Sequence, residues 1–168
     1  MKQKLVLIGG AKGVGKSTVL DELSKDFPFE IVNTGNIVKL VKNNSFNYEQ
    51  IILHLISKQE GLIFDTHYAV YDGDDGFKRN KLYDLLPKID QKRNMKLILV
   101  DSTPEIILKR RKKDVSRSRR MEFNHIKREL EKNREYFQDF CNYISTEGTV
   151  IFNNTLDQCL NNVRRYIE

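Results

Sequence analysis

The sequence lacks features that define several large classes of protein. It has only two cysteines, Cys141 and Cys159, whose separation is not that of a metal or redox motif. A scaffold built on disulfides is therefore excluded, and we expect both thiols to pack inside helices in a reducing compartment. No apolar run approaches the length needed to cross a membrane. No long apolar region precedes the first predicted strand, so we expect no signal peptide and a cytoplasmic protein without a membrane partner.

The chain also lacks internal repeats, low-complexity tracts and a linker that would divide it. Its 168 residues fit one domain, 1–168, with a substantial core. The formal net charge of +6 favours anionic ligands. Phosphorylated small molecules and nucleic acid both meet that condition.

A phosphate-binding loop is the most informative feature that is present. Residues 10–17 read Gly-Ala-Lys-Gly-Val-Gly-Lys-Ser, which matches the pattern G-x-x-x-x-G-K-[ST]. An apolar, β-branched run at residues 4–8 precedes this loop, and apolar residues at helical spacing follow it. The order of strand, glycine loop and helix is the context that the motif requires.

Each residue type in this loop has a chemical reason. Backbone N–H groups that point at phosphates require conformations that favour glycine, hence Gly10, Gly13 and Gly15. Lys16 is expected to reach the β- and γ-phosphates and to act in catalysis, and the Ser17 hydroxyl to ligate Mg2+. The sequence therefore predicts ATP and Mg2+ as cofactors. The predicted nucleotide-binding residues of the loop are Gly10, Ala11, Lys12, Gly13, Val14, Gly15, Lys16, Ser17 and Thr18.

Strands and helices alternate along the chain. This order predicts an α/β fold: a single P-loop NTPase domain with a five-stranded parallel sheet covered by helices on both faces. Ligands of such sheets bind at the carboxyl ends of the strands. We expect a loop at residues 71–80, a long helix with Phe123 on its inner face, and a capping box from Thr155 to Gln158. The predicted strands are residues 4–8, 30–33, 62–64, 97–100 and 149–152.

Two aspartates directly follow apolar strands. Asp65 follows the third predicted strand, and Asp101 follows the fourth. In P-loop enzymes one such carboxylate often holds Mg2+. Asp101 stands before a Ser-Thr-Pro helix start and also fits a capping role, so Asp65 is the preferred metal-side residue.

Residues 109–120 carry eight lysines or arginines, with Asp114 as their only acid. Such a run can be a solvated face or a nucleic-acid patch. It can also be an arginine-bearing lid, at about residues 113–122, that stabilises a transferring phosphoryl group and excludes water. We favour the lid because guanidinium groups make paired bonds to phosphate.

Three stretches resemble the archaeal type of adenylate kinase. They are the P-loop with its helix, the Phe-Asp-Thr-His sequence at residues 64–67, and the segment from Pro104 to Arg119. The last strand, at residues 149–154, is also similar. The resemblance implies a P-loop kinase core with Mg-ATP as phosphoryl donor. It further implies Arg117 and Arg119 as catalytic phosphate ligands in the lid, and Arg110 and Asn153 as nucleotide-binding residues.

The chain departs from that family on the acceptor side. The expected acceptor-binding region, at about residues 35–60, is short and contains no arginine, and the first arginine of the chain is Arg79. Lys39, Lys42 and Lys58 stand there instead, and they also fit ordinary exposed helix positions. Residues 77–79, Phe-Lys-Arg, can alternatively stack a base and hold a phosphate.

These observations predict a kinase that transfers the γ-phosphoryl group of Mg-ATP to a small acceptor, with a nucleoside monophosphate such as AMP preferred. A P-loop kinase for another small acceptor is one alternative. Another is a nucleotide-dependent ATPase that binds RNA or a ribonucleoprotein, which the basic run favours. Aromatic residues are not interleaved with that run, as stacking on single strands would require. Nucleic acid is therefore the less favoured partner.

Overall fold

The computed structural model describes residues 4–58, 61–73, 76–88, 94–114, 116 and 119–168. The prediction for Arg117, and part of the predicted lid, lie outside the described residues, as does the side chain of Lys58. Among the described helices, none is both long and apolar enough to cross a bilayer.

Five parallel strands form the central sheet, as predicted. They are β1 (Lys4–Gly9), β2 (Glu30–Asn33), β3 (Gly61–Asp65), β6 (Asn94–Asp101) and β7 (Gly148–Phe152), while β4 (Ala69–Tyr71) and β5 (Phe77–Arg79) pair separately. The order across the central sheet is β2-β3-β1-β6-β7, so β1 lies between β3 and β6. In this register Ile8 near the end of β1 is paired with Asp65 at the end of β3. The P-loop and Asp65 therefore lie at the same edge of the sheet.

Helices cover both faces of the sheet. Successive residues of a strand point to opposite faces, so Val6 and Ile8 enter one hydrophobic core and Leu5 and Leu7 enter another. The α-helices are α1 (Lys16–Asp26), α2 (Thr34–Asn43), α3 (Tyr48–Lys58), α4 (Pro104–Lys113), α5 (Phe123–Tyr143) and α6 (Leu156–Ile167). A 3-10 helix spans Lys81–Lys88. The first core includes residues of α1 and α6, and the second includes residues of α3 and α5.

The structure corrects three local predictions. The segment expected as a loop at 71–80 takes part in an antiparallel hairpin, in which β4 pairs with β5. Phe123 is 42% exposed, because it is the first residue of α5 and lies beyond the core. Thr155 does precede α6, but its side chain makes no capping hydrogen bond. Cys141 and Cys159 are free and buried, as expected.

Candidate functional site

The P-loop joins β1 to α1 in a backbone conformation that glycine makes possible. Gly10, Gly13 and Gly15 have φ angles of 150°, 89° and 94°. A Cβ atom on Gly10 would lie 2.2 Å from the carbonyl oxygen of Val100, and one on Gly15 would lie 2.4 Å from Nδ2 of Asn153. Side chains are therefore disfavoured at all three positions by backbone conformation, and at Gly10 and Gly15 by space as well.

A cavity of about 650 Å³ lies over this loop at the carboxyl edge of the sheet. Its volume is within the range of small-molecule sites. Its walls come from the P-loop, the start of α1, the ends of β2 and β3, the end of α4 and the segment after it. The lining residues are Lys12, Gly13, Gly15, Lys16, Ser17, Thr18, Asn33, Asp65, His67, Arg110, Asp114, Ser116, Arg119, Asn153 and Leu156.

Lys16 is buried in this cavity and bonds within the protein. Its Nζ donates to the carbonyl oxygen of Gly10 at 2.7 Å and lies 3.2 Å from Nδ1 of His67. Burial lowers the pKa of Lys16 to about 8, against the opposing charge of Asp65. Burial, together with the charge of Lys16, lowers the pKa of His67 to about 3. His67 is therefore neutral near pH 7. A bound phosphate oxygen could replace the Gly10 carbonyl as the partner of the Lys16 ammonium group.

Asp65 stands at the end of β3, beside Lys16. Burial raises the pKa of its carboxyl group, and the nearby charge of Lys16 and a hydrogen bond from Asn33 oppose that shift. The Asn33 amide donates to Oδ2 of Asp65 at 2.7 Å, and the Asn33 Oδ1 accepts the N–H of Asn36 to cap α2. Asn33 thus fixes both the carboxylate and the start of the predicted acceptor region.

A buried ion pair clamps the P-loop from behind. Arg111 and Glu129 form an ion pair at 2.5 Å, and both side chains are buried. The Glu129 carboxylate accepts the N–H of Lys12 at 2.8 Å, while Arg111 donates to the Lys12 carbonyl at 2.6 Å. Arg111 also donates to the carbonyl oxygen of Arg120 at 2.8 Å. Both backbone polar groups of Lys12 are thereby held by α4 and α5.

Arg110 and Asn153 hold the next turn of the loop. Both donate to the carbonyl oxygen of Val14, at 2.9 Å and 2.8 Å, and Arg110 also donates to the Asn153 carbonyl. The Oδ1 atom of Asn153 is buried and has no hydrogen-bond partner within the described residues. A buried acceptor without a partner costs free energy, and a ligand donor in the cavity would relieve that cost.

The other sequence-predicted residues divide into three groups. Asp101 does not line the cavity: it is buried, accepts the N–H of Ser102 and pairs with Arg134 at 2.6 Å. Arg119 lines the cavity and pairs with Asp114 at 3.1 Å. Gly10, Ala11 and Val14 are buried and support the loop from behind the cavity lining.

Sequence reasoning missed the residues that position the loop. Arg111 is 1% exposed, although the basic run to which it belongs had been expected to be a lid or a solvated face. Glu129 and Asn33 gave no signal in the sequence. The Asp-Thr-His sequence did contain His67, but its position beside Lys16 depends on pairing between β1 and β3.

The residues of the cavity fit a magnesium-bound nucleoside triphosphate. The glycine loop offers backbone N–H groups, and Lys12, Lys16, Arg110 and Arg119 offer positive charge. Ser17 and Asp65 are the residues of the predicted metal pair, and both line the cavity. Within the described residues no cluster of three His, Cys, Asp or Glu side chains could hold a metal alone. Phosphate and water oxygens would therefore complete the coordination of Mg2+, which is usual for this ion.

Solved structures share this fold. A gluconokinase from Sinorhizobium meliloti aligns over 98% of this chain and 91% of its own, with a TM-score of 0.56 and 11% identity. A shikimate kinase from Bacteroides thetaiotaomicron aligns over 98% of this chain and 96% of its own, with a TM-score of 0.58 and 12% identity. At these identities the likeness concerns the fold alone, which this chain shares with both of these kinases.

Comparison of sequences gives a closer relation. The adenylate kinase of Thermoplasma acidophilum is 28% identical over 130 residues, which cover 67% of this chain and 69% of the relative. The Rad17 P-loop domain matches residues 1–130, which include the strand, the glycine loop, α1, Asp65 and the basic run. By that match, and with the loop geometry described above, the chain belongs to the family of Rad17 P-loop domains.

Proposed function

We propose that this protein is a phosphotransferase that moves the γ-phosphoryl group of Mg-ATP to a small acceptor, with a nucleoside monophosphate such as AMP as the preferred substrate. The observation that carries the proposal is the joint placement of Lys16, Asp65 and Arg119 around one cavity. A cation at the loop, a carboxylate beside it and an arginine from the segment after α4 are what phosphoryl transfer requires.

The donor side is supported by the prepared P-loop. Its N–H groups would hold the phosphates, and the ammonium group of Lys16 would exchange its bond to the Gly10 carbonyl for a phosphate oxygen. When bound, Mg-ATP would supply the transferable phosphoryl group and the charge of the metal. The Oδ1 of Asn153, which has no hydrogen-bond partner in the described part of the chain, would offer an acceptor to the exocyclic amino group of adenine.

The acceptor side is supported by the beginning of α2. Asn33 links α2 to Asp65, and the hydroxyl of Thr34 donates to the carbonyl of Asp65 and lies 3.1 Å from the Thr66 hydroxyl. An acceptor between α2 and Asp65 would therefore face the phosphate end of the cavity. The 28% identity to an adenylate kinase supports AMP as the acceptor. Residues 35–64 contain no arginine, and in this respect they differ from the adenylate kinases that other parts of the chain resemble.

Positioning and electrostatics would provide the rate, without a covalent enzyme intermediate. Lys16 would stabilise the charge that spreads over the phosphoryl oxygens. Arg119 lies on the segment proposed as a lid, and would cover the same group and exclude water. Arg117, carried over from the resemblance alone, is proposed for the same role.

ADP formation from Mg-ATP tests the proposal. Purified protein would be assayed without acceptor and then with AMP, CMP, UMP, GMP, dAMP, gluconate and shikimate in turn. Turnover with AMP, well above the rate without acceptor, is expected. In the Lys16→Ala variant turnover should fall by at least about 10²- to 10³-fold, since one preorganised donor to the transition state is lost. Lys25→Ala, a change of an exposed lysine at the end of α1, is the matched control and should keep its activity.

Three results would contradict parts of the proposal. Equal rates with and without every acceptor would remove the kinase assignment. A response to gluconate or shikimate alone would keep the kinase and replace the nucleotide acceptor. ADP formation stimulated only by RNA would favour the nucleotide-dependent RNA-binding ATPase.

A further inference from the structure

A second cavity, of about 650 Å³, lies between the β4–β5 hairpin and the first half of α5. None of its lining residues belongs to the P-loop cavity. The residues that carry the argument are the aromatic side chains of Tyr71, Phe77, His125 and Tyr136 and the guanidinium groups of Arg120 and Arg128. Below, these six residues are called the aromatic–arginine cavity.

Three rings form one wall of the aromatic–arginine cavity. The Tyr71 ring meets the Phe77 ring at 5.4 Å and the His125 ring at 5.0 Å, both edge to face, and Phe77 lies 5.4 Å from His125. Tyr71 and Phe77 are direct partners across the hairpin. The hydroxyl of Tyr136 donates to the Phe77 carbonyl at 3.0 Å and ties the hairpin to α5. The rings are thus fixed in place, and all three are only partly buried.

Positive charge surrounds these rings. The Arg120 guanidinium lies 4.4 Å from the centre of the Tyr71 ring, and Arg128 is exposed and makes no ion pair with any residue that the structure describes. Lys132 also lines the cavity, and Glu131 is the only acid that does so among the described residues. Partial burial lowers the pKa of His125, so its ring is neutral near pH 7 and acts as an aromatic surface.

We infer that the aromatic–arginine cavity binds a nucleotide, with its base against the Tyr71, Phe77 and His125 rings and its phosphate on Arg120 and Arg128. Bases stack on partly exposed aromatic rings whatever their sequence, and arginine binds phosphate with paired hydrogen bonds. Interleaving of aromatic and basic residues is absent along the basic run itself. The fold supplies it instead, by bringing β4, β5 and α5 beside Arg120.

The shared chemistry is a base joined to a phosphate, and it has two sources. One is a free nucleoside monophosphate, and the other is a nucleotide unit within single-stranded RNA. The inference does not rest on the proposed kinase activity, because the two cavities share no residue and ligand binding here can be measured without turnover.

The test measures binding while the magnesium complex of AMP-PNP, a non-hydrolysable ATP analogue, saturates the P-loop, so that no phosphoryl transfer accompanies the titration. One arm titrates AMP by calorimetry, and the other titrates a fluorescein-labelled adenylate 12-mer by fluorescence anisotropy. Arg128→Gln should weaken the probe that binds here by at least about threefold, since a charge-assisted contact is lost. Tyr71→Leu should weaken it by at least about fivefold, since a stacking surface is lost. Lys127→Gln, a neighbouring exposed charge on α5 outside the cavity, is the matched control and should bind as the unaltered protein does.

Proton NMR adds a local readout. The chain has three histidines, so the ring resonances can be assigned with single His→Gln variants. The resonances of His125 should move on addition of the probe, and those of exposed His54 should not.

The variants also distinguish the two sources of the ligand. If they weaken the binding of AMP alone, the cavity is a mononucleotide site, and if they weaken the binding of the 12-mer alone, it is a nucleic-acid site. If neither variant weakens either probe, or if His125 stays unmoved, the inference is overturned. Because Arg128 is exposed and unpaired within the described residues, its variant keeps the test decisive even if Tyr71→Leu does not fold.

Discussion

The two sides of the P-loop cavity are built differently. On the donor side, the backbone of the glycine loop is held by side chains from α4, α5 and the segment after β7. These are the buried Arg111, Glu129 and Asn153 and the half-buried Arg110. On the acceptor side, α2 follows Asn33, and Lys39 and Lys42 on that helix are exposed. The donor side is therefore fixed by long-range contacts, whereas the acceptor side presents solvated groups.

This difference indicates which half of the reaction is constrained by the fold. Disturbing a donor residue breaks contacts among several elements, so its effects should be large and should reach stability. Disturbing an exposed acceptor lysine breaks few contacts, so its effects should be small and confined to the acceptor. Three predictions sharpen this comparison.

The largest effect is expected for Arg111→Met, which leaves the Glu129 carboxylate buried without its partner. Removal of one member of a buried ion pair typically costs about 3–5 kcal/mol. The free energy of unfolding, measured with urea, should fall by that amount, and Mg-ADP binding should weaken because Lys12 loses its support. Lys112→Met changes the exposed neighbour and should stay within about 0.5 kcal/mol of the unaltered protein. Equal stability of the two variants would show that the donor side is not clamped as described.

An intermediate effect is expected from pH, through Lys16. The pKa of Lys16 is about 8, and an anionic phosphate favours the charged ammonium group, so binding raises that pKa. Below pH 8 the lysine is already protonated and affinity for Mg-ADP should be constant. Above pH 8 binding must take up a proton, and affinity should fall by up to about tenfold per pH unit.

Calorimetry at pH 8.5 in two buffers of different ionisation enthalpy measures that proton. The expected uptake is about three quarters of a proton per nucleotide, from the fraction of Lys16 that is neutral at this pH. In Lys16→Met, the residual binding of Mg-ADP should be accompanied by no proton uptake at residue 16. Identical heats in the two buffers for the unaltered protein would mean that Lys16 is charged throughout and that its burial has no such consequence.

The smallest effect is expected for Lys39→Met in α2. Lys39 is exposed, and contacts of exposed charges typically contribute about 0.2–1 kcal/mol. The KM for AMP should therefore rise by less than about fivefold, while the KM for Mg-ATP and the unfolding free energy stay unchanged. A hundredfold rise in the KM for AMP would contradict the comparison. It would show that one exposed lysine binds the acceptor phosphate as strongly as the donor side binds the phosphates of the nucleotide.

Local patterns made the sheet and the P-loop predictable. Short apolar strands can be recognised from their composition, and the glycine loop has a fixed spacing. The prediction of five parallel strands was therefore correct, as was the prediction of glycine-dependent backbone conformations at Gly10, Gly13 and Gly15. The carboxyl-edge rule also placed Asp65 beside the loop, because β1 and β3 are neighbours. These inferences needed only the order of the elements.

Long-range partners were not predictable. In the sequence, nothing distinguishes Arg111 from the solvent-exposed residues of its basic run. Its buried position depends on distant groups, namely Glu129, 18 residues away, and the backbone of Lys12, 99 residues away. The β4–β5 hairpin was missed because each strand has only three residues and the stretch between them is polar. The aromatic wall at Tyr71, Phe77 and His125 exists only once that hairpin is packed on α5.

The bond from Arg111 to the Arg120 carbonyl also limits how the proposed lid can move. The same guanidinium holds the Lys12 carbonyl and Glu129, so all three of its nitrogens already donate to acceptors among the described residues. Pulling Arg120 away would leave a buried donor unsatisfied, at about 1–3 kcal/mol. A movement that carried Arg119 over a bound phosphate would therefore have to leave the Arg120 backbone in place against the buried side chain that holds the P-loop.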